Sequence, residues 1–513
     1  MRKRKSKLFR LLTSKFLLVC FLLLLELAFI PVSILILSAW VPHASTILNV
    51  VFFFVDIVVA IYIVNSDVNA EYKIAWLVPV LAIPPAGAVL YLLLRRHKMP
   101  RRRRRMLSDA FRGAECLYAK PGEKPVSLSQ ADGFANRCAE YVTSFTGMPF
   151  SDCTDFEYFP MGQDYGKALL DELEKAEKYI FLEYFVIQPG KFFNAITDIL
   201  VKKANAGVDV RLIYDDIGSM LKVPGNFAEQ MEKKGVKCMC FNPFRPVLDI
   251  AQNNRTHRKI AVIDGKVAFT GGVNLADEYI NETHPFGTWK DTGILVRGRV
   301  VQNFTAMFLQ LWTLRGEEED YTKYLSDSPA GNILCTAFSD APRAEEGNVC
   351  ENLYLKIIYN AKKYVYINTP YLILDGEMKR ALINAAQSGV DVRITVPNIP
   401  DKKYVFAVTK AFYSELVKEG IKVYRYTPGF LHAKSIVSDD SVCIIGSTNM
   451  DFRSFYMHFE CDLLFFNDKV CAALYHDYLE TCEQSHLVTE NEIKDKLHSL
   501  IYRSILRFFA PMM

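Results

Sequence analysis

THRKIAVIDGKVAFTGGVN, residues 256–274, has a counterpart later in the chain in LHAKSIVSDDSVCIIGSTNM, residues 431–450. In both stretches a histidine and a lysine stand two positions apart, an aspartate follows the lysine at a turn dipeptide, and small residues come shortly before an asparagine. The matched residues are His257, Lys259, Asp264 and Asn274 in the first stretch, and His432, Lys434, Asp439 and Asn449 in the second. Coincidence is a poor account of such matched frames, so the chain is predicted to hold two related domains.

The sequence around each stretch follows an alternating strand and helix pattern that also occurs twice. Short β-branched and aromatic runs fall at residues 178–187, 207–216 and 235–243 in the first copy, and at 363–372, 389–398 and 420–428 in the second. Strands that alternate with helical patterns predict an α/β fold, with a mixed sheet covered by helices in each copy. Two such copies predict a pseudo-two-fold pair in which both motifs contribute to one shared active site.

These patterns divide the chain into four predicted parts. They are a membrane region with basic flanks at 1–105, a linker at 106–160, a first α/β domain at 161–330, and a second at 331–513 that ends in an amphipathic helix.

Apolar residues are concentrated near the N-terminus, although the overall composition of 50% hydrophobic and 23% charged residues is ordinary for a chain of 513 residues. Three apolar runs lie at Phe16 to Leu37, Ile47 to Val64 and Ile74 to Leu94. Each is close to the roughly 20 residues that a membrane-spanning helix requires, so a multi-pass membrane protein is predicted. A cleavable signal peptide is the competing interpretation, but the first run is too long for one and two more follow.

The side of the membrane is set by basic segments, which stay in the cytoplasm. Both the N-terminus, MRKRKSKLFR, and residues 95–105, RRHKMPRRRRR, are basic, yet three full spans would separate them. Either the third run, broken by Pro84 and Pro85, does not cross fully, or the weaker N-terminal cluster is translocated. Both alternatives leave the rest of the chain in the cytoplasm, and twelve cysteines at irregular spacing suit that reducing compartment.

The repeated residue types suit transfer of a phosphoryl group. One unprotonated imidazole attacks phosphorus, a second protonates the leaving oxygen, and lysines with asparagine amides neutralise the phosphoryl oxygens. Small residues at positions 271, 272, 446 and 447 are expected to let backbone amides approach the phosphate. The sequence shows no clustered carboxylates or His/Cys ligand set, so no metal or other cofactor is predicted.

The two aspartates of the motif have a second interpretation. Asp264 lies five residues beyond Lys259, which is the wrong parity for the same face of a strand, and Asp264-Gly265 is a hairpin-turn dipeptide. This favours turn carboxylates at Asp264 and Asp439 over catalytic acids. Membership of the repeated motif nevertheless keeps both among the candidate catalytic residues.

The duplicated H-x-K-x-x-x-x-D pattern, followed by small residues and Asn, resembles the signature of the phospholipase D superfamily. Over nearly its whole length the chain is most similar to the bacterial cardiolipin synthases of that superfamily, with TGGVNLADEYI, WKDTGILVRG and GSTNMDFRSF among the similar segments. The resemblance implies phosphatidylglycerol and anionic membrane lipids as partners and a cell-membrane location. It implies that His257 attacks one phosphatidylglycerol, that His432 is the general acid and base, and that Asp291 and Glu460 orient the histidines.

Other functions share part of this pattern. A hydrolase, or a transferase with another alcohol acceptor, would use the same residues, because the acceptor is chosen by pocket shape and water exclusion. A nuclease is disfavoured by the membrane region and by the lack of an extended basic and aromatic surface, so no nucleic acid partner is predicted. A noncatalytic scaffold would be expected to have lost a histidine or lysine. The sequence leaves the oligomeric state open.

Overall fold

A computed structural model describes residues 44–83, 86–94, 101–117, 133–245, 250–317, 319–342, 348–493 and 497–512. Its helices are α1 (Ala44–Val64), α2 (Ala70–Ala82), α3 (Ala86–Leu94), α4 (Arg101–Gly113), α5 (Gly133–Thr146), α6 (Gly162–Glu174), α7 (Lys191–Asn205), α8 (Asp216–Ser219), α9 (Phe227–Glu232), α10 (Val301–Trp312), α11 (Val349–Asn360), α12 (Gly376–Gln387), α13 (Lys403–Lys418), α14 (Phe452–Tyr456), α15 (Asp468–Glu483) and α16 (Leu497–Phe508).

The strands are β1 (Ser151–Cys153), β2 (Asp155–Phe159), β3 (Tyr179–Tyr184), β4 (Asp209–Asp215), β5 (Lys237–Phe241), β6 (Arg255–Thr256), β7 (Lys259–Ile263), β8 (Val267–Gly271), β9 (Thr288–Lys290), β10 (Gly293–Arg297), β11 (Ile333–Asp340), β12 (Tyr364–Asn368), β13 (Asp391–Pro397), β14 (Lys422–Tyr426), β15 (Gly429–Leu431), β16 (Ser435–Ser438), β17 (Val442–Gly446), β18 (His458–Phe466) and β19 (Ser485–Leu487).

The N-terminal helices cover two of the three predicted apolar runs. The second run lies in α1, whereas the third is divided between α2 and α3, with Pro84 and Pro85 outside the described residues. The first run, Phe16 to Leu37, also lies outside them. Within the part of the chain that the structure describes, no helix is both long and apolar enough to cross a membrane. Multi-pass topology is therefore not confirmed and stays a prediction.

The two α/β copies form two sheets with the same central order. The seven-stranded sheet runs β2-β10-β8-β7-β3-β4-β5, and the larger sheet runs β1-β11-β18-β17-β16-β12-β13-β14-β19. In the first, β3, β4 and β5 are parallel and the other pairs antiparallel, and β12, β13 and β14 repeat that arrangement in the second. The predicted mixed α/β fold is confirmed.

An apolar core is shared by the two sheets. One cluster of buried residues joins β3, β7 and β10 of the first sheet to β11, β16 and β18 of the second, with members such as Phe181, Ile260, Val437 and Phe465. Helix α10 belongs to the same cluster, and all of its residues are buried. The helix is thus surrounded by protein on every side, and its apolar side chains stabilise the contact between the two copies.

The predicted linker contains regular structure that joins the same assembly. Helix α5 buries Phe134, Cys138 and Val142 in the core of the second sheet. Strand β1 pairs with β11, while β2 pairs with β10, so the chain reaches both sheets before the first motif begins. The domain limits 161–330 and 331–513 stay predictions.

Candidate active site

Both histidines lie in short gaps between strands. His257 follows β6 and precedes β7, which begins at Lys259, and His432 lies between β15 and β16 with Lys434 still in the gap. A spacing of two residues would place a histidine and its lysine on one face of a single strand, but here each histidine lies outside the strands. Each gap interrupts the ladder where the chain passes from one strand partner to another.

The strands before the histidines cross to the opposite copy. Strand β6 pairs in parallel with the start of β18, so Thr256 lies beside Phe459, and the His257 N–H donates to the Phe459 carbonyl at 2.9 Å. Strand β15 pairs in the same way with β9, and the His432 N–H donates to the Lys290 carbonyl at 2.6 Å. The next residues along β18 and after β9 are Glu460 and Asp291. The register of these two parallel strand pairs therefore places each histidine beside a carboxylate of the other copy.

The side chains complete these crossed pairs. His257 Nδ1 is 3.0 Å from both oxygens of Glu460, and His432 Nδ1 is 2.6 Å from Asp291 Oδ2. All four side chains are buried. A carboxylate that accepts a hydrogen bond from Nδ1–H fixes the tautomer and leaves the lone pair on Nε2.

The two lysines lie in the same buried site. Lys259 Nζ donates to the His257 carbonyl, and Lys434 Nζ donates to the His432 carbonyl. Burial lowers the pKa of Lys259 to about 7 and that of Lys434 to about 8, with attraction to Glu460 and Asp291 opposing the fall in both cases. Lys434 is close enough to contribute to the lowered pKa of Lys259. The site thus holds two buried amino groups close to two buried carboxyl groups.

The two carboxylates differ in charge state. Burial by itself would raise the pKa of Glu460, but its contact with His257, which donates a hydrogen bond to the carboxylate, outweighs burial and holds that pKa below its usual value. Glu460 also accepts a hydrogen bond from Ser447 Oγ at 2.5 Å. Burial raises the pKa of Asp291 to about 7, although Lys434 and Lys259 oppose the rise. Glu460 is therefore ionised at neutral pH, whereas Asp291 holds a proton for part of the time.

The histidines also have different aromatic neighbours. The rings of Phe185 and His458 lie 5.1 Å and 5.4 Å from the ring of His257. The rings around His432 are those of Tyr279 and Trp289, at 5.3 Å and 5.4 Å. Burial lowers the pKa of both His257 and His432 well below the usual value, so both imidazoles are neutral near pH 7.

The small residues after each hairpin have a different role from the one predicted. The Gly272 N–H donates to the Thr292 carbonyl, and the Ser447 N–H donates to the Cys461 carbonyl and to Asp462. These amides are thus engaged within the protein. A Cβ at Gly272 would lie 2.0 Å from Asp291 Oδ1, and one at Gly446 would lie 2.1 Å from Asp462 Oδ1. The glycines are required because a carboxylate packs against the backbone there.

Asp264 and Asp439 lie at hairpin turns and contact backbone groups. Asp264 accepts hydrogen bonds from the N–H groups of residues 177, 178 and 179, and Asp439 accepts them from residues 362, 363 and 364. Both have positive φ, at 54° and 52°. At about 3.3 Å per residue, Asp264 lies on the order of 20 Å along the chain from His257. The turn interpretation agrees with these contacts, since the carboxylates hold the starts of β3 and β12, and a catalytic role for either aspartate stays a prediction.

The two asparagines are buried beside the site. Asn274 Oδ1 accepts the N–H of Val186 at 3.0 Å, which leaves its amino group as the remaining side-chain donor. Asn449 Oδ1 is buried and makes no hydrogen bond within the described residues. The two positions match in sequence but are held differently.

Several residues of the site went unnoticed in the sequence. Ser447 was assigned only a small size, yet its hydroxyl holds Glu460. Asp215, at the end of β4, accepts the Thr256 N–H at 3.2 Å and so fixes the segment before His257. His458 stands two residues before Glu460 on β18, and this spacing places both on one face. That spacing is the sequence feature from which His458 could have been predicted as a residue of the site.

Comparisons with known proteins agree with this geometry. Residues 169–312 and 354–482 match the family described as "Cardiolipin synthase, PLD-like domain", and residues 54–96 match the "Phospholipase D-nuclease N-terminal" family. A cardiolipin synthase of Alkalihalophilus pseudofirmus is 33% identical over 91% of this chain and 94% of its own length. One of Geobacillus kaustophilus is 32% identical over 89% of this chain and 92% of its own.

A solved structure shares the fold. Phosphatidylserine synthase of Haemophilus influenzae superposes with a TM-score of 0.57 at 12% identity, covering 74% of this chain and 98% of its own. The fold is thus that of the phospholipase D superfamily, with two copies of its domain in one chain. The protein belongs to the cardiolipin synthase family of that superfamily and is a phospholipid phosphatidyltransferase.

Proposed function

We propose that this protein makes cardiolipin by transferring a phosphatidyl group from one phosphatidylglycerol to a second, with release of glycerol. The observation that supports the proposal is the crossed pairing, in which each histidine of a repeated motif contacts a carboxylate of the other copy. Family membership supports the lipid substrates, since the relatives are named cardiolipin synthases. Exchanging one phosphodiester for another is close to neutral in free energy, so no nucleotide is required.

In the first step His257 is the nucleophile. Its Nδ1–H is held by the ionised Glu460, so the Nε2 lone pair is free to attack phosphorus. A bond forms between Nε2 and phosphorus, while the bond from phosphorus to the glycerol oxygen breaks. The imidazole becomes positively charged, and the Glu460 carboxylate stabilises that charge.

His432 supplies the proton that the glycerol oxygen needs. The raised pKa of Asp291 and the 2.6 Å contact let this pair hold a proton near neutral pH and pass it through His432 Nε2 to the leaving oxygen. In the second step His432 takes the proton of the acceptor hydroxyl. That oxygen attacks phosphorus, the nitrogen–phosphorus bond breaks, and His257 returns to its neutral form.

Lys259 and Lys434 neutralise the phosphoryl oxygens during both steps. Their charges act in a buried site, where such interactions are stronger than in water. The amino group of Asn274 is a further donor in this role. The reaction as proposed needs no metal, and activity is therefore expected to persist in excess EDTA.

A hydrolase is the second candidate, because water could replace the acceptor hydroxyl. Purified protein incubated with phosphatidylglycerol alone and analysed by lipid mass spectrometry separates the two. Cardiolipin with free glycerol supports the transferase, whereas phosphatidic acid with glycerol supports the hydrolase and contradicts the proposal. Adding other alcohols in the same assay tests a broader choice of acceptor.

The proposed location is the bacterial cell membrane, with both α/β copies on the cytoplasmic side. The predicted apolar runs and the arginine-rich segment after them support this orientation. A cysteine probe placed just after residue 105 should be protected from impermeant reagents in intact cells. Labelling of that probe from outside would reverse the orientation.

A further inference from the structure

Beside the proposed nucleophile lies a group of three potential metal ligands. One ring nitrogen from each of His257 and His458 and a carboxylate oxygen of Glu460 lie within 4.8 Å of one another, and all three side chains are buried. His458 Nδ1 makes no hydrogen bond within the described residues, although the side chain is only 9% exposed, and it lies 3.6 Å from Glu460 Oε1. A buried ring nitrogen that makes no hydrogen bond and faces a carboxylate is a candidate metal ligand.

The separations suit a small tetrahedral ion. Bonds of about 2.0–2.2 Å from zinc to nitrogen and oxygen place neighbouring ligand atoms roughly 3.3–3.5 Å apart. The observed contacts of Glu460 are 3.0 Å to His257 Nδ1 and 3.6 Å to His458 Nδ1, on either side of that value. Two imidazoles and one carboxylate are a known zinc ligand set that leaves a fourth position for water. Such a set favours Zn²⁺ or Co²⁺ over Mg²⁺, which prefers oxygen ligands.

The equivalent place in the other copy has no such set. Trp289 stands two residues before Asp291, as His458 stands two residues before Glu460, and each ring lies 5.4 Å from its catalytic-motif histidine. An indole nitrogen is a donor only and has no lone pair to bind a metal. The ligand set thus arises from a single difference between the copies.

We propose that His257, His458 and Glu460 bind Zn²⁺ or a similar transition metal ion, and that this ion reversibly inhibits the enzyme. This inference rests on the proposed role of His257 as nucleophile. The ion takes the Nδ1 lone pair of each neutral imidazole, and the ring proton moves to Nε2. His257 Nε2–H has no lone pair for phosphorus, and Glu460 is no longer available to stabilise a charged imidazole.

Metal binding is tested on the full chain in detergent by Co²⁺ titration, read from the visible absorption of tetrahedral Co²⁺ and from bound metal after dialysis. We expect about one Co²⁺ per chain, displaced by Zn²⁺, and its loss in His458→Gln. The matched control is His486→Gln, since His486 also pairs with a glutamate, Glu492, but is exposed. Equal tetrahedral binding in His458→Gln and wild type, or none in wild type, would overturn the site. Glu460→Gln is the second variant if His458→Gln does not fold, and it should also lose the spectrum.

Inhibition is measured separately, as the ratio of activity with and without Zn²⁺ for each variant. Zn²⁺ should inhibit wild type and His486→Gln, and EDTA should restore their activity. His458→Gln should need at least about tenfold more Zn²⁺ for the same inhibition. Equal sensitivity in all three proteins would overturn the inhibitory role. A protein that binds Co²⁺ as expected but never forms cardiolipin would contradict the proposed function and leave the metal site standing.

Discussion

The two copies of the motif present the same residues in unequal surroundings. His257 contacts both oxygens of an ionised glutamate that a serine also holds, whereas His432 contacts one oxygen of an aspartate whose pKa is raised to about 7. A histidine that is hydrogen-bonded to an ionised carboxylate is suited to become positively charged, as a nucleophile must. A histidine that is hydrogen-bonded to a carboxyl group that retains a proton is suited to donate a proton to the leaving group. We therefore propose that the two histidines have different roles, set by their carboxylate partners, although the two motifs are nearly identical.

The largest expected effects come from removing each histidine. His257→Ala should lose transfer by at least about 10⁴-fold with every substrate, because no nitrogen remains to attack phosphorus. His432→Ala should also fail with phosphatidylglycerol, but it should load quickly with a p-nitrophenyl phosphodiester lipid, whose leaving group needs little protonation. The measurement is acid-quenched trapping of labelled phosphatidyl group, followed by peptide mapping. Label on His432 in wild type, or loading of only the His257→Ala protein, would show the reverse assignment.

Removing the charge of each orienting carboxylate further tests the difference between the two histidines. Glu460→Gln should slow formation of the intermediate by between about 10²- and 10⁴-fold with either leaving group, since the charged imidazole loses its counter-ion. Asp291→Asn should slow turnover of phosphatidylglycerol far more than loading with the p-nitrophenyl lipid, because only protonation of the leaving oxygen is impaired. The readout is the ratio of rates for the two substrates in each variant. An equal ratio in both variants would argue that the carboxylates are merely structural.

Much of this arrangement could be predicted from the sequence, but the pairing of each histidine with its carboxylate could not. The strands were predicted from runs such as 178–187, and the turn role of Asp264 was predicted from parity and the Asp-Gly dipeptide. Resemblance pointed to Asp291 and Glu460, yet which carboxylate serves which histidine depends on the parallel pairs β6–β18 and β9–β15. These pairs join residues far apart in the chain, such as Arg255 with His458 and Thr288 with Gly429, and no local pattern encodes them. For the same reason the role predicted for Gly272 was wrong, since the carboxylate that packs on it, Asp291, comes from the later segment between β9 and β10.

The lysines predict a fall in kcat/KM at alkaline pH. Their lowered pKa values, about 7 for Lys259 and about 8 for Lys434, mean that charge is present below these values and lost as pH rises through them. Affinity for the lipid phosphate should therefore fall by up to about tenfold per pH unit for each proton lost. Acidic pH down to about 6 should cost little, since the pKa of His257 lies well below 6.5.

Variants at Lys434 test whether lysine deprotonation causes the fall in kcat/KM at alkaline pH. Lys434→Arg keeps a positive charge at every pH and should flatten the part of the profile between pH 8 and 9, even if its maximum is lower. Lys434→Ala should lower turnover by about 10²- to 10³-fold, because a charge-assisted phosphate contact is lost. The exposed Lys469→Arg is the control and should keep the wild-type profile. A wild-type profile that stays flat to pH 9 would contradict the assignment to lysine.

The smallest expected effects concern the turn carboxylates, which affect stability and not chemistry. Asp264 is buried and Asp439 is partly exposed, although each accepts three backbone N–H groups. Removing Asp264 leaves the buried Tyr179 N–H without an acceptor and should cost about 1–3 kcal/mol, whereas water can replace much of what Asp439→Ala removes, so about 1 kcal/mol or less is expected. Apparent melting temperature in detergent should therefore fall more for Asp264→Ala. Specific activity per folded molecule should stay near wild type in both variants, because these carboxylates hold the starts of β3 and β12 and do not reach the histidines. If Asp264→Ala melts like wild type but loses more than about tenfold in activity, Asp264 has the catalytic role that its place in the motif first suggested.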